Sequence, residues 1–213
     1  MKISYAILTH NEGDYIEKLL TFLVENIRTK DEIVVVDDYS TDVKTKGILE
    51  RFKGNITLYY REFDGDATQK NFLNSCCTGD YILQLDADEL VSQEFIKMLP
   101  DILEKNNSVD LFFVPRINKV EGLTQKHIQK WRWYVNEKGW INFPDWQMRL
   151  YRNCSWVKWE GLLHSRIIGY KTFVNLPTDE LFCILHPKGI ERQEKQNNLY
   201  DKIEANGRKK YKV

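Results

Sequence analysis

The stretch from residue 32 to residue 42, EIVVVDDYSTD, decides the fold. Its first five residues, Glu32–Val36, form an apolar β-branched run that predicts a strand buried on both faces of a sheet. Ser40, Thr41 and Asp42 follow, and side chains of this kind favour the N-terminus of a helix. A buried strand that leads through acidic residues into a helix is typical of a parallel α/β sheet.

The same alternation of strand and helix extends over the first 115 residues. Ile3–Leu8 predicts a first strand, and apolar residues at helical spacing from Ile16 to Ile27 predict a helix that buries one face. Further strands are predicted at Ile56–Tyr60, Tyr81–Leu85 and Leu111–Val114, and further helices at Ala67–Cys77 and Gln93–Lys105. This order predicts a mostly parallel sheet with helices on both faces.

The pattern becomes irregular after residue 115. Helices are expected over Gln125–Glu137 and Gly189–Ala205, short strands over Gln147–Tyr151, Leu162–Ile168 and Phe182–Leu185, and turns at Asn142–Pro144 and Pro177–Asp179. No repeat, low-complexity segment or linker separates the two parts. We therefore expect one α/β domain over residues 1–213, with a regular half at 1–115 and an irregular half at 116–213 that ends in a helix.

The charges are divided unequally although the 213-residue chain has 31 Lys and Arg against 31 Asp and Glu. Residues 1–110 carry 12 basic and 21 acidic residues, a net charge of −9, and residues 111–213 carry 19 and 10, a net charge of +9. Neither part is basic enough to predict a nucleic-acid partner. No run of 18 apolar residues predicts a membrane span, so at most peripheral membrane association is expected.

The four cysteines have no metal-ligand spacing, and nothing resembles a CxxC pair. They are expected to be reduced in a cytoplasmic protein, with the inner face of the membrane as its alternative location.

Acidic residues come directly after the first, second and fourth predicted strands: Glu12, Asp37, Asp38, Asp42, Asp86, Asp88 and Glu89. Because the carboxyl ends of parallel strands meet at one edge of a sheet, these side chains should converge there. Some of them are expected to cap helices, but the rest would repel one another without a cation or a donor-rich ligand. Asp86 and Asp88 can approach one hard cation, Mg²⁺ or Mn²⁺, that bridges to phosphate oxygens.

Several familiar motifs are missing from the sequence. No G-x-G-x-x-G follows the first strand, and no G-x-x-x-x-G-K-[ST] occurs, which argues against a dinucleotide-binding protein and a P-loop NTPase. No serine lies in a G-x-S-x-G elbow.

Three segments together resemble family 2 glycosyltransferases with the GT-A fold: ILTHNEGDYIEKLL (7–20), EIVVVDDYSTD (32–42) and QKNFLNSCCTGDYILQLDADE (69–89). Their order and spacing match the family over residues 1–115. The later segments DWQMRLYRN (145–153) and WVKWEGLLHSRI (156–167) are similar to a bacterial subgroup that includes lipopolysaccharide core glycosyltransferases. That subgroup usually has a His-Glu pair where this chain has His164-Ser165.

The resemblance implies a single Rossmann-like GT-A domain in which residues 1–115 bind a nucleotide-sugar and residues 116–213 face the acceptor. It implies an inverting, divalent-metal-dependent transfer from a nucleotide-diphosphate sugar, with UDP favoured, to a glycan, glycolipid or other hydroxyl acceptor. The implied nucleotide-binding residues are Thr9, Asn11, Glu12, Asp38, Lys70 and Asp86, and the implied ligands of Mn²⁺ or Mg²⁺ are Asp88 and His164.

The second half is expected to supply the acceptor side and the base. Inversion needs a carboxylate that accepts the proton of the acceptor hydroxyl, and family 2 enzymes usually place it in the region of Asp145, which makes Asp145 the first candidate and Glu160 the second. All six tryptophans lie between Trp131 and Trp159, where they can form a core or stack on sugar rings. Glu89, Trp146 and Arg149 are expected to contact the sugar or the acceptor.

Two other functions remain possible on the sequence. A nucleotidyltransferase that makes sugar nucleotides normally has a glycine-rich loop after the first strand, where this chain has THNEGDY (9–15). A non-catalytic sugar-binding module is disfavoured by the presence of Asp86 and Asp88 together with Asp38 and Lys70.

Overall fold

The computed structural model describes residues 1–161 and 165–198 of the chain. Its strands are β1 (Ile3–Thr9), β2 (Glu32–Asp37), β3 (Thr57–Tyr60), β4 (Tyr81–Asp86), β5 (Leu111–Glu121), β6 (Ile141–Arg152), β7 (Lys158–Glu160), β8 (Arg166–Ile168), β9 (Phe173–Asn175) and β10 (Ile184–Gly189). Its helices are α1 (Gly13–Asn26), α2 (Val43–Arg51), α3 (Asp66–Cys76), α4 (Gln93–Lys105) and α5 (Gln125–Trp131). Glu180–Phe182 forms a 3₁₀ turn, and residues 190–198 are helical.

Both halves of the sequence contribute to one sheet of eight strands, in the order β10-β5-β6-β4-β1-β2-β3, with β9 paired to the first residues of β5. β1 pairs in parallel with β2 on one side and β4 on the other, so that Leu8 lies beside Asp86 and Thr9 lies beside Asp37. β6 runs antiparallel between β4 and β5. The α/β class with a mostly parallel sheet is confirmed. The sheet continues beyond β4 through β6, β5 and β10, while β3 remains the edge strand on the other side.

Alternation along the buried strands divides the core between the two sheet faces. On one face, Ile33 and Val35 of β2 belong to a cluster that includes Leu19 of α1 and Leu99 of α4. On the other face, Val34 and Val36 pack in a cluster with residues of α3, β7 and β8: Leu73, Trp159 and Ile167. All of Val34, Val35 and Val36 are fully buried, which is the environment that the EIVVV run predicts.

Helix α2 begins where the sequence places a cap. Asp42 has an extended backbone, and its side chain accepts a hydrogen bond from the backbone N–H of Thr45. This contact occupies one of the N–H groups that the first turn of a helix leaves without a partner.

The second half is more regular than the sequence suggests. β5 and β6 are 11 and 12 residues long, and the turn predicted at Asn142–Pro144 lies inside β6. The pairing of β5 with β6 is irregular between Arg116 and Asn118, and a proline fits within a strand at such a place because its missing N–H breaks no ladder bond there. The Phe143–Pro144 peptide bond is cis.

Other boundaries also differ from the prediction. Helix α5 ends at Trp131 because Arg132 adopts a left-handed conformation with φ of 55°. The strand predicted at Leu162–Ile168 is observed only as β8, since residues 162–164 lie outside the described part of the chain. The predicted C-terminal helix is helical over 190–198, and its remaining residues also lie outside that part. No helix in the described ranges is both long enough and apolar enough to cross a membrane.

Candidate active site

A cleft of about 1310 Å³ lies at the carboxyl ends of β1, β2 and β4. Its floor includes Thr9, Asp38 and Asp86, which end or follow those strands, and its walls come from α3, β5, β6, β10 and residues 192–197. The cleft thus brings together residues from both halves of the sequence.

Thr9 and Asp38 line the side of the cleft formed by β1 and β2. The hydroxyl of Thr9 is buried and has no hydrogen-bond partner among the described residues. One oxygen of Asp38 accepts a hydrogen bond from the backbone N–H of Phe63 at 2.8 Å, and its other oxygen lies 3.6 Å from Nδ1 of His10. A buried hydroxyl without a partner costs free energy. The side chain of Asp38 is 27% exposed and is open to a polar ligand on this side of the cleft.

Asn11 does not line the cleft, unlike the other predicted nucleotide-binding residues. Its backbone has φ of 53°, and its side-chain oxygen accepts hydrogen bonds from the backbone N–H groups of Thr41 and Asp42 at 2.7 and 3.0 Å. It therefore ties the β1–α1 loop to the β2–α2 loop and is not among the residues that line the cleft.

Lys70 reaches the cleft from α3. Its ammonium donates hydrogen bonds to Asp66 at 2.9 Å and to Ser165 at 3.1 Å. The same ammonium lies 4.3 Å from the ring centre of Trp159, a distance at which a cation is attracted to an aromatic face. These contacts hold a positive charge at the wall of the cleft.

Asp86 and Arg149 form a two-pronged ion pair, with Nη1 of Arg149 at 3.1 Å from one carboxylate oxygen and Nη2 in close contact with the other. Burial would raise the pKa of Asp86, but the charge and hydrogen bonds of Arg149 hold it well below its ordinary value. Arg149 is itself buried. The pair presents a fixed carboxylate and guanidinium at one place in the cleft.

Glu89 lies behind this pair and is completely buried. Its carboxylate accepts hydrogen bonds from Arg116 at 2.9 Å and Arg149 at 3.1 Å, and from the backbone N–H of Asp86 at 2.9 Å. Glu89 was expected to contact the sugar or the acceptor; in the structure it has no exposed surface and positions two guanidinium groups instead.

Asp88 is surrounded by cationic side chains. Its Oδ2 lies 3.0 Å from Arg192, 3.4 Å from Nε2 of His186 and 3.7 Å from the ammonium of Lys188. Burial would raise the pKa of Asp88, but the hydrogen bond and charge of His186 and the charge of Lys188 lower it to about 2. Burial in turn lowers the pKa of Lys188. Asp88 is therefore an ionised carboxylate that is only 7% exposed.

A chain of side chains connects Asp88 with Asp145. Nδ2 of Asn118 donates to Asp145 at 2.8 Å, so Oδ1 of Asn118 faces Nδ1 of His186 at 2.7 Å and accepts a hydrogen bond from its N–H group. In neutral His186 this arrangement leaves the lone pair of Nε2 directed at Asp88. Two acceptors at this distance need a proton or a cation between them.

Asp145 lies in β6 and lines the cleft. It accepts hydrogen bonds from Arg116 at 2.9 Å, Asn118 at 2.8 Å and Gln147 at 2.7 Å. Burial would raise the pKa of Asp145, but the charge of Arg116 and these hydrogen bonds lower it. Glu160, the second candidate base, is exposed on β7 and is not among the residues that line the cleft.

Glu12 precedes α1 and pairs with Arg192 across the cleft. Burial raises the pKa of Glu12, and Arg192 offsets this only in part. The guanidinium of Arg192 also lies 4.4 Å from the ring centre of Tyr15.

The residues that could hold a divalent cation are Asp88 and His186. A carboxylate oxygen and an imidazole nitrogen are suitable ligands for Mn²⁺, and the orientation of His186 set by Asn118 directs Nε2 at the carboxylate. In the described part of the chain no three His, Cys, Asp or Glu side chains are grouped closely enough to hold a metal by themselves, so phosphate oxygens or water would complete such a site. His164, the predicted second ligand, lies outside the described residues.

Three tryptophans line the cleft: Trp133, Trp146 and Trp159. Trp159 is 5% exposed and packs in the core beside Tyr151, whereas Trp133 and Trp146 are half-buried. Trp133 and Trp146 are therefore the aromatic rings available to a ligand. Trp140 belongs to a small separate core with Ile117 and Cys183.

The cleft also contains cationic and amide residues that were not singled out from the sequence, among them Arg116, Asn118, Lys188 and Arg192. His186 and Lys188 alternate along β10 and are buried on the same side, but β10 was predicted too short for this pattern to be seen. Arg152 ends β6 and pairs with Asp110 at 3.1 Å.

Comparison with protein families gives one match over most of the chain. The family model described as Glycosyl transferase family 2 matches residues 4–192.

Curated relatives match about half of the chain. An uncharacterized glycosyltransferase of Rickettsia conorii is 35% identical over 106 residues, which are 50% of this chain and 36% of that protein. The poly(ribitol-phosphate) β-N-acetylglucosaminyltransferase TarS of Staphylococcus aureus is 29% identical over 114 residues, 51% of this chain and 20% of TarS. The chain thus spans between a fifth and little more than a third of the length of these relatives.

Solved structures of S. aureus TarS 1-349 share the fold. One has a TM-score of 0.62 at 20% identity and covers 88% of this chain and 60% of its own. A second, in complex with UDP-GlcNAc, has a TM-score of 0.60 at 20% identity and covers 88% of this chain and 59% of its own.

Proposed function

The chain belongs to family 2 of the glycosyltransferases, and on this premise we propose that it transfers a sugar from a nucleotide-diphosphate sugar to a hydroxyl group of a glycan or glycolipid acceptor. The observation that carries the proposal is the convergence of Asp38, Lys70, Asp86 and Asp88 in a single cleft at the carboxyl ends of the parallel strands. UDP is the favoured nucleotide, and the UDP-GlcNAc complex of TarS, which has the same fold, supports this choice.

The nucleoside binds at the end of β1 and β2. Thr9 and Asp38 both line the cleft there, and a carboxylate at such a place accepts hydrogen bonds from ribose hydroxyls or a base N–H. Lys70 lines the same cleft from α3 with a positive charge suited to phosphate.

Asp88 and His186 would hold a divalent cation, with Mn²⁺ or Mg²⁺ as the candidates. When bound, such a cation neutralises charge on the diphosphate as it leaves. The chain's own cations add to this effect, because Arg149, Lys188 and Arg192 are held in the same part of the cleft.

Asp145 is the proposed base of a single displacement with inversion. The acceptor hydroxyl oxygen forms a bond to the anomeric carbon while the bond from that carbon to the diphosphate oxygen breaks, and its electron pair leaves with the diphosphate. Asp145 takes the hydroxyl proton. Its lowered pKa keeps it ionised well below neutral pH, so the acid limb of the pH–rate profile should lie below the ordinary range of a carboxyl group.

The test is release of free nucleotide from a panel of nucleotide-sugars, each with and without Mn²⁺. We expect turnover that depends on Mn²⁺ and is fastest with a UDP-sugar. Asp88→Asn should lower it by about 10²-fold or more, since it removes the charged metal ligand. Asp14→Asn is the matched control, because Asp14 forms an exposed ion pair with Lys44 away from the cleft.

Two results would contradict the proposal. A protein that releases no nucleotide from any donor and is not stabilised by UDP with Mn²⁺ is not such a transferase, and a sugar-binding module becomes the better description. A protein in which Asp88→Asn and Asp14→Asn have equal, wild-type activity does not use Asp88.

A further inference from the structure

The helical residues 190–198 are held against the cleft mainly by polar contacts. Their sequence, IERQEKQNN, has Ile190 as its only apolar residue. Glu194 lies 3.5 Å from His127, and Gln196 accepts a hydrogen bond from Lys188 at 2.7 Å. A segment with so little apolar surface to bury depends on its ionic contacts for its position.

Arg192 makes the most connected of these contacts. Its guanidinium pairs with Glu12 from the β1–α1 loop and with Asp88 from the loop after β4, and it lies over the ring of Tyr15. Burial alone would lower the pKa of Arg192, but the Glu12 hydrogen bond and the charge of Asp88 raise it. The Arg192 side chain therefore joins residues 190–198 to two loops, which follow the neighbouring strands β1 and β4.

We infer that Arg192 is a built-in counter-ion of Asp88, which occupies the cation side of this carboxylate in the donor-free protein and is displaced when the divalent cation binds. The inference rests on the proposed function only in taking Asp88 as the cation ligand. Oδ2 of Asp88 already faces Arg192, His186 and Lys188. A divalent ion added beside two full positive charges is repelled by both, so one of them must withdraw.

Arg192 is the group that can withdraw. Its side chain is 33% exposed, whereas that of Lys188 is 7% exposed and belongs to a strand of the central sheet. Displacement breaks the contact that fastens residues 190–198 to Asp88, and it frees a guanidinium that matches phosphate oxygens in shape and charge. Cation binding and the position of this segment are then coupled, and the coupling acts equally in both directions.

The first test measures Mn²⁺ binding to the nucleotide-free full chain by electron paramagnetic resonance. Arg192→Gln should bind Mn²⁺ about tenfold more tightly than wild type, because the competing charge is gone. Arg192→Lys keeps the charge and should bind less tightly than Arg192→Gln. Lys195→Gln is the matched control: it removes one positive charge from the same segment, but Lys195 is not among the three side chains described around Asp88.

The outcomes separate this inference from the proposed function. If Asp88→Asn abolishes Mn²⁺ binding and Arg192→Gln does not tighten it beyond Lys195→Gln, the cation site stands and the counter-ion role of Arg192 is wrong. If Asp88→Asn leaves Mn²⁺ binding unchanged, the cation site itself is wrong.

A second measurement follows the segment directly by hydrogen exchange of peptides covering residues 188–198. We expect Mn²⁺ to speed exchange in wild type toward the rate of Arg192→Gln, and to have no effect on that variant. Exchange that Mn²⁺ slows equally in both proteins would overturn the inference.

Discussion

The side-chain amide of Asn118 has one orientation that serves both of its neighbours. Its N–H group must face the Asp145 carboxylate, which only accepts, and its oxygen then accepts from Nδ1 of His186. A single residue of β5 therefore fixes the tautomer of the proposed metal ligand and the position of the proposed base. Contacts behind a metal ligand commonly tune the affinity of the site.

Asn118→Ala should weaken Mn²⁺ binding by about 10-fold or more, because His186 loses the acceptor that keeps its proton on Nδ1. Electron paramagnetic resonance measures the affinity, and ¹⁵N shifts of the His186 ring report the tautomer directly. Asn26→Ala is the control. It removes a comparable amide, whose N–H group donates a hydrogen bond to the backbone carbonyl of Phe22 within α1. Unchanged Mn²⁺ affinity with an unchanged Nδ1–H tautomer in Asn118→Ala would show that Asn118 has no positioning role.

At the scale of single elements, the start of β2 is fixed by one carboxylate. Glu32 accepts hydrogen bonds from the Lys2 ammonium at 2.6 Å, the Ser4 hydroxyl at 2.5 Å and the backbone N–H of Thr78 at 2.6 Å. It thus joins β2 to the start of β1 and to the loop before β4. Burial would raise the pKa of Glu32, but these hydrogen bonds lower it from 4.5 to about 2.

The lowered pKa predicts a pH dependence of stability. The contribution of ionised Glu32 is complete above its unfolded-state pKa near 4.5 and is lost as the pH falls to about 2. The free energy of unfolding should therefore differ between wild type and Glu32→Gln by up to ~3 kcal/mol at pH 6, and the difference should shrink below pH 4. Urea unfolding across this range measures it. Glu25→Gln is the control: Glu25 lies on the exposed face of α1, and its replacement should show no such trend. If the difference between wild type and Glu32→Gln is constant with pH, the pKa of Glu32 is not lowered in the folded protein.

The strands and helices of the first half were predictable because each is indicated by a pattern of neighbouring residues. The EIVVV run, the Asp42 cap and the apolar stripe of α1 need only neighbouring residues, and α4 begins and ends where it was expected. β5 and β6 were predicted too short because their outer residues pair with each other and with β10. A residue such as Pro144 is read locally as a turn, and only the irregular pairing with β5 makes it part of a strand.

The site was predictable to the same extent. Acidic residues at the ends of β1, β2 and β4 follow from strand order alone, and Thr9, Asp38 and Asp86 line one cleft as that order implies. Arg116 and Arg192 could not be found in this way, because their partners lie 27 and 180 residues away in the sequence. The role of each predicted residue in binding or catalysis stays a prediction.

At the scale of the whole molecule, the two oppositely charged parts of the sequence neutralise each other inside the cleft. Asp86, Asp88 and Glu12 belong to the acidic part, and their partners Arg149 and Arg192 belong to the basic part. These ion pairs already neutralise the carboxylates, so the carboxylates do not need a metal ion for charge neutralisation. A ligand that enters the cleft must fit between the two sets of charges.

Binding between the two sets predicts that UDP and Mn²⁺ together stabilise the fold. A ligand at 100 times its dissociation constant adds about 2.7 kcal/mol to the unfolding free energy, which a thermal shift detects. UDP alone should give a smaller shift, since Arg192 and Lys188 remain engaged with Asp88. In Asp88→Asn the Mn²⁺-dependent part of the shift should disappear; a shift that is the same with and without Mn²⁺ in wild type would argue against a cation at this site.

The distance along the chain between Glu12 and Arg192 has a consequence for biosynthesis. The two residues lie 180 positions apart, so a ribosome working at roughly 5–20 residues per second completes one partner at least about 10 s before the other. Within that interval, once residue 86 has been made, β1, β2 and β4 can pair and pack before Arg149, Lys188 and Arg192 are made, so the carboxylates at their ends face water. The nascent polypeptide thus has an acidic, incomplete pocket until the segments that carry these basic residues have been made.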